Sequence, residues 1–322
     1  MTEASLPPSR SRLSLDRALT LVQRLGSVIG LLLLFVALSI LSPDFLTTGN
    51  LLTVLRQVSV NALIAFGMTF VILTGGIDLS VGALLAFAGA VTAGVMAAGH
   101  GMGLAIIAGL GTGMALGVVN GILVSWGRVA PFIATLGMMT LVRGLTLAFQ
   151  DGRPIGVSNT GFALLGDGYV AHLIPIPVVW MFVTFAVCAF LLRGTVFGRH
   201  VFALGGNEEA ARLSGVRVNL IKLGVYGLSG LLSAFAGIVL TSRLYSAQAT
   251  AGVGYELDAI AAVVLGGTSL SGGRGWLFGT LVGVLLIGFL NNGLNLLGVS
   301  SFYQQVVKGA VILVAVLIDR RK

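Results

Sequence analysis

The feature that most constrains this chain is a series of apolar runs separated by short polar stretches. A helix needs about 20 apolar residues to cross a bilayer, whereas barrel strands of about ten residues alternate apolar with polar side chains. These runs do not alternate, so they predict helices rather than strands. Ten segments qualify, at 25–42, 51–73, 79–98, 101–125, 129–149, 173–192, 218–240, 257–268, 276–297 and 302–318. A short external helix is predicted at 163–170.

The composition supports lipid as the solvent. The chain is 56% hydrophobic and 9% charged, whereas soluble domains carry roughly 25% charged residues. Its 47 glycines suit transmembrane helices, in which small residues let backbones approach closely. We therefore predict an all-α membrane protein of about ten transmembrane helices. Residues 25–322 form one transmembrane domain, after a basic cytoplasmic tail at 1–24 that is expected to be disordered.

The lysines and arginines between the runs predict the orientation, because cytoplasmic loops carry an excess of these residues. With a cytoplasmic N-terminus, the odd-numbered connections hold only Arg153 and Arg243. The even-numbered connections and the C-terminus hold Arg128, Arg193, Arg199, Arg212, Arg217, Arg274, Arg320, Arg321 and Lys322. Ten spans with both termini in the cytoplasm follow from this asymmetry.

Several functional classes are excluded by residue placement. The net charge of +8 does not indicate nucleic acid, because the basic residues cluster between apolar runs. His100, His172 and His200 stand far apart, without metal-ligand spacing. The lone Cys188 lies inside an apolar run. We expect no metal and no cofactor in this chain, and no catalytic group.

Two glycine-rich turns share one pattern. Residues 75–82 read GGIDLSVG and residues 266–273 read GGTSLSGG, both fitting Gly-Gly-x-x-Leu-Ser-x-Gly. They predict an internal parallel repeat, as in transporters whose site lies between repeats. Two helix-breaking turns that converged remain the alternative. The second turn has P-loop spacing, but Gly273 and Arg274 stand where lysine and Ser/Thr are needed, so we expect no ATP hydrolysis by this chain alone.

Two glycine ladders with a spacing of four residues predict close helix packing. One comprises Gly113, Gly117 and Gly121, and the other Gly275, Gly279 and Gly283. Each ladder places a smooth strip along one face of a helix. The partner helix could belong to this chain or to a second copy.

Polar residues within the spans are candidates for a translocation pathway: Asn61, Asp78, Asn120, Asn291, Asn292 and Asn295. Asp78 has two interpretations, a cap for the helix that follows or the lining of a cavity, since ionisable groups at membrane depth tend to be functional. Each amide can likewise bond a neighbouring helix or line a pore for a hydroxyl-rich solute.

The longest charged connection, 193–217, contains GGNEEAARLSGV at 205–216. Asn207 followed by Glu208 and Glu209 predicts a helix start, since acids stabilise a helix N-terminus. Ala210, Ala211 and Leu213 give a small apolar face, so we predict a short amphipathic helix on the cytoplasmic surface. Such a helix can bind a partner or simply rest against lipid headgroups.

This loop carries a resemblance. Glu209-Ala210-Ala211 followed by Gly215 resembles the E-A-A-x-x-x-G signature of permease subunits in ATP-binding-cassette importers. Four further stretches, at 59–82, 132–144, 254–275 and 288–304, resemble bacterial ribose permeases and occur in the same order. The chain is identified as a member of this family of permeases for ribose and similar simple sugars.

The resemblance implies an inner-membrane importer with two permease chains, an ATPase subunit that binds the ATP, and a periplasmic sugar-binding protein. It implies that Glu208, Glu209, Ala210, Ala211 and Gly215 couple the permease to the ATPase. A stand-alone channel or secondary carrier is the alternative, although it should carry ion-coupling groups within its spans. A membrane-embedded enzyme would need a nucleophile or metal cluster.

Overall fold

The computed structural model describes residues 10–319. The helices are α1 (Arg10–Leu41), α2 (Thr48–Leu73), α3 (Val81–Ala97), α4 (Met102–Ser125), α5 (Pro131–Phe149), α6 (Thr160–Asp167), α7 (Ile176–Gly194), α8 (Val196–Gly206), α9 (Glu208–Leu213), α10 (Val218–Leu244), α11 (Tyr255–Leu265), α12 (Leu277–Leu296) and α13 (Ser301–Asp319). Two antiparallel pairs of two-residue strands join β1 (Ile155–Gly156) to β4 (Ser246–Ala247), and β2 (Tyr169–Val170) to β3 (Ile174–Pro175). The predicted helical class is confirmed.

Each of the ten predicted segments contains a helix, but the helices differ in length. Within the residues that the structure describes, six helices are long and apolar enough to cross a membrane. They are α2, α4, α5, α7, α10 and α12. Shorter apolar stretches lie at Gly26–Leu41 in α1 and at Val81–Ala97. The helix α11 has only 11 residues. The number of ten spans and the cytoplasmic termini stay predictions.

The helices α1 and α6 start upstream of their predicted positions for reasons that the sequence makes clear. The helix α1 begins at Arg10, so residues 10–24 are helical rather than a disordered tail, while 1–9 lie outside the described residues. Leucine, alanine and arginine are strong helix formers and fill this stretch. The external helix predicted at 163–170 is present as α6, which starts earlier because the Asn159 side chain accepts a hydrogen bond from the Phe162 N–H.

The helices α2 and α10 form the centre of the molecule. In the most apolar 18-residue window of each helix, 67% of the residues of α2 and 72% of those of α10 are buried. The same share is 22% for α4 and 28% for α5. Close packing around α10 explains the first glycine ladder. A Cβ atom at Gly113 or Gly117 would meet the backbone of Gly230, and one at Gly121 would meet Leu223. The predicted packing is confirmed, and the partner helix belongs to this chain.

The second ladder packs in the same way against α11 and the turn that follows it. Gly283 lies against the carbonyl oxygen of Ala262, and Gly279 lies against that of Gly266. Gly275 precedes α12 and faces the side chain of Thr268. Here too the neighbouring surface belongs to this chain.

The connection between α10 and α11 is non-helical and enters the protein interior. Ala247 and Ala249 are buried, and Gly252 packs against the backbone of Gly82 at the start of α3. The Arg143 guanidinium of α5 donates hydrogen bonds to the carbonyl oxygens of Ala249 and Ala251. Non-helical backbone is tolerated at membrane depth where protein groups satisfy its hydrogen bonds, and Arg143 does so here.

Candidate functional site

The short helix predicted in the 205–216 loop is α9, six residues long. The Asn207 side chain accepts a hydrogen bond from the Ala210 N–H at 2.9 Å, which confirms the predicted helix start. Gly215 has a positive φ of 84°, and the Val216 N–H returns to the Ala211 carbonyl oxygen at 3.1 Å. Glycine adopts this left-handed conformation without strain, so the helix ends there as expected.

The predicted apolar face of α9 is split by the fold. Ala211 is buried against the protein, whereas Leu213 is 82% exposed and Ala210 is also exposed. Ala211 and Leu213 lie about 200° apart around the helix axis, because each residue advances the helix by about 100°. The helix therefore packs through Ala211 and presents Ala210 and Leu213 outward.

Glu208 attaches α9 to the long helix α10. Its carboxylate accepts hydrogen bonds from the Lys222 ammonium at 2.9 and 3.0 Å and from the Arg212 guanidinium at 3.1 Å. Lys222 lies in the first turns of α10, and its side chain is only 17% exposed. Sequence reasoning did not include Lys222, although a lysine near the start of an apolar helix beside an acidic loop is a usable signal.

The two Gly-Gly-x-x-Leu-Ser-x-Gly turns meet at the end of α8, directly before α9. The Gly273 N–H donates to the Leu73 carbonyl oxygen at 2.9 Å. Gly205 packs against both groups, and a Cβ atom at Gly272 would lie 2.9 Å from the Gly75 nitrogen. We call these residues, 73–75, 205–206 and 272–273, the glycine junction. It joins both turns to the chain that enters α9.

The junction does not by itself establish the internal repeat. The first turn joins α2 to α3, of 26 and 17 residues, whereas the second joins α11 to α12, of 11 and 20 residues. The two turns lie at the same end of the protein, as the parallel interpretation requires. The repeat itself stays a prediction.

Asp78 and Asn120 belong to one buried polar network. The Asp78 carboxylate accepts hydrogen bonds from the Ser80 hydroxyl at 2.6 Å, the Ser80 N–H at 3.0 Å and the Ser229 hydroxyl at 2.9 Å. The Asn120 amide donates to the Ser80 hydroxyl oxygen at 2.9 Å. All four residues are fully buried. Sequence reasoning missed Ser80 and Ser229 as partners.

Asp78 is not the N-cap of α3. That residue is Ser80, and its side chain accepts no capping hydrogen bond from the first turn of the helix. The Asp78 carboxylate instead accepts the Ser80 N–H and so fixes the residue that directly precedes α3. Ser229 lies 11 residues into α10, about 16 Å along the helix at 1.5 Å per residue. The carboxylate therefore lies inside the helix bundle and not on its surface.

The other four pathway candidates are not brought together. Asn292 and Asn50 exchange two amide hydrogen bonds of 2.7 and 3.0 Å, and Asn295 accepts one from Gln304 at 2.8 Å. The Asn291 side chain bonds Asp258, which also pairs with Lys308 at 3.0 Å. Asn61 lies separately in α2. A shared pathway through all six residues is not visible in the monomer.

Comparison with known proteins identifies the family. Residues 50–316 match the family described as branched-chain amino acid transport system / permease component. The chain belongs to this family. As a permease with several apolar helices it is a multi-pass protein of the bacterial inner membrane, as predicted.

The permease is similar to curated relatives over its full length. It is 59% identical to ribose import permease protein RbsC of Bacillus subtilis (strain 168), covering 100% of this chain and 99% of the relative. It is 55% identical to RbsC of Escherichia coli (strain K12), covering 92% and 93%. It is 42% identical to L-arabinose ABC transporter permease protein AraH of Azospirillum brasilense, covering 99% and 93%. No solved structure gives a significant match.

Proposed function

We propose that this permease is the membrane-spanning subunit of an ATP-binding-cassette importer for ribose or a similar simple sugar. The observation that carries the proposal is the 59% identity to a ribose import permease over both full lengths. The arabinose relative is more distant, at 42%, and a D-allose permease of Escherichia coli is 43% identical over 87% of this chain. Ribose is therefore the preferred substrate.

In this proposal a separate ATPase subunit docks on α9, which carries Glu208, Glu209, Ala210 and Ala211. Two features favour this surface: Leu213 is exposed, and a side chain at Gly215 would meet open space. The ion pair between Glu208 and Lys222 and the glycine junction connect α9 to the helix bundle. A displacement of α9 would then reach α2, α10 and both turns.

The transport cycle follows from this connection. ATP binding would close the ATPase subunits and pull on α9 near Glu209, so that the core changes from inward-facing to outward-facing and receives the sugar. Hydrolysis would reset it. The permease itself would hydrolyse no ATP, because its P-loop-like turn lacks the lysine and Gly272 packs against the backbone of Gly75 and Gly205.

The remaining parts of the importer belong to the same proposal. A periplasmic binding protein would deliver the sugar at the end opposite α9, and a second permease copy would complete the pathway. Exposed apolar side chains further along α5 give the second copy a surface, including Leu141, Leu145 and Leu147. Asp78 and Asn120, with the separate amides Asn61, Asn291, Asn292 and Asn295, are the proposed pathway residues.

The experiment that tests the function is reconstitution in proteoliposomes with an ATPase subunit and a periplasmic sugar-binding protein from the same organism. We expect ATP-dependent uptake of radiolabelled ribose, with weaker uptake of arabinose and allose. Omitting either partner should abolish uptake. Uptake by the permease alone along an ion gradient would instead establish the secondary-carrier alternative.

A further inference from the structure

A basic groove lies beside α9, between the α4–α5 loop and the start of α10. It has a volume of about 660 Å³. Its charged lining residues are Arg128, Arg212, Arg217, Lys222 and Glu208. With four cations and one carboxylate, the lining carries a net charge of +3. The groove is therefore suited to an anion.

Two of the four cations are already neutralised in part. Lys222 and Arg212 both bind the Glu208 carboxylate. Arg128 and Arg217 are exposed and form no ion pair with any residue that the structure describes. Because the guanidinium groups of both residues line the groove without an ion-pair partner, an anion bound there would gain charge-assisted hydrogen bonds from them.

The backbone around the groove favours the same kind of ligand. The groove is lined by Pro131 at the start of α5 and by Val218 at the start of α10. Helix N-termini carry partial positive charge, and phosphate is a common ligand there. The contribution here is the dipole rather than these two N–H groups, since Pro131 has none and the Val218 N–H donates to the Val216 carbonyl oxygen.

The surface next to the groove indicates an amphiphile rather than a free anion. Large apolar side chains on the adjoining ends of α4 and α5 are exposed, namely Ile122, Leu123, Trp126, Phe132 and Ile133. Tryptophan and arginine together are typical of the membrane–water interface. A ligand with a phosphate in the groove and hydrocarbon chains on this face would satisfy both surfaces.

We propose that the groove binds the phosphodiester headgroup of an anionic phospholipid, whose acyl chains lie along the exposed apolar side chains of α4 and α5. Arg128 and Arg217 are the residues that hold the phosphate. Basic pockets between transmembrane helices on the cytoplasmic side are known to bind such headgroups. Assignment to the cytoplasmic leaflet rests on the proposed orientation, whereas binding itself does not.

The test is native mass spectrometry of the full-length permease in a neutral detergent. The probes are phosphatidylglycerol, phosphatidylcholine with the same acyl chains, and inorganic phosphate. We expect the wild-type protein to bind phosphatidylglycerol about tenfold more tightly than phosphatidylcholine. The double variant R128Q/R217Q should lose most of this preference, since each basic residue contributes measurably to binding an anionic lipid.

The control is R193Q/R199Q, which removes the same charge from exposed positions outside the groove and should retain the preference. A thermal melt of each variant checks folding. The proposal would be overturned if both double variants lost the preference for phosphatidylglycerol equally, or if R128Q/R217Q kept it. It would also be overturned if inorganic phosphate bound as tightly as the lipid. If R128Q/R217Q keeps the lipid but loses the ATPase subunit on co-purification, the groove is instead part of the ATPase interface.

Discussion

Gly205 and Gly215, on either side of α9, lie in opposite surroundings. Gly205 is enclosed in the glycine junction, where a Cβ atom would collide with the Leu73 carbonyl oxygen and approach the Gly273 nitrogen. Gly215 has a positive φ, and an added Cβ atom would meet nothing within 4 Å. The contacts at the Gly205 end of α9 are thus supplied by the chain itself. Its outer side leaves room for another surface to bind without rearrangement of the bundle.

The largest expected effect comes from filling the junction with Gly205→Ala. The added methyl group collides with backbone rather than with a mobile side chain, and such overpacking costs about 1–3 kcal/mol or more. We expect a lower yield of monodisperse protein and a lower melting temperature in detergent. The neighbouring Gly206→Ala is the control, because a Cβ atom there meets nothing within 4 Å. Similar melting temperatures for the two variants would show that the junction is not tightly packed.

The second prediction concerns the open side of α9. Gly215→Trp should leave the permease folded but reduce ATP-dependent uptake and ATPase co-purification by about tenfold or more, the range produced by losing a central interface contact. Gly298→Trp is the matched control, since Gly298 also has a positive φ and open space around it. If both variants keep the ATPase and transport normally, α9 is a passive surface helix.

The buried network provides a third test. Asp78→Ala removes the acceptor for Ser80 and Ser229, and leaving a buried donor unpaired costs about 1–3 kcal/mol. We expect lower thermal stability and reduced uptake at equal membrane levels. Asp44→Ala is the control because Asp44 is exposed. A stable Asp78 variant with impaired uptake would favour a pathway role, and unchanged uptake would remove Asp78 from the pathway.

The smallest effect is expected at the amide pair of Asn50 and Asn292. A neutral hydrogen-bonding pair contributes about 0.5–1.5 kcal/mol, so either alanine variant should lower the melting temperature slightly and change uptake less than Asp78→Ala does. The double alanine variant should lose less than the sum of the two single variants, because neither amide is left unpaired. Additive losses in this double-mutant cycle would show that the two amides act independently.

Local sequence signals predicted most of the elements. The start of α9 at Asn207 and its end at Gly215 follow from capping chemistry that involves only neighbouring residues. The span helices follow from the length of the apolar runs, because a helix satisfies its own backbone hydrogen bonds in lipid. The predicted N-terminal limit of α1 was wrong. The basic residues at 1–24 suggested a tail, but the leucines between them favour a helix.

The chain by itself therefore determined the helical membrane class, the positions of the long apolar helices and the short helix α9. Only the tertiary structure decided which polar groups meet. Asp78 bonds Ser229 across 151 positions and Asn50 bonds Asn292 across 242, so no local pattern could pair them. The same holds for the glycine junction and the basic groove. In each case the contact depends on which helices pack together. A uniformly apolar helix surface does not specify which helix will pack against it.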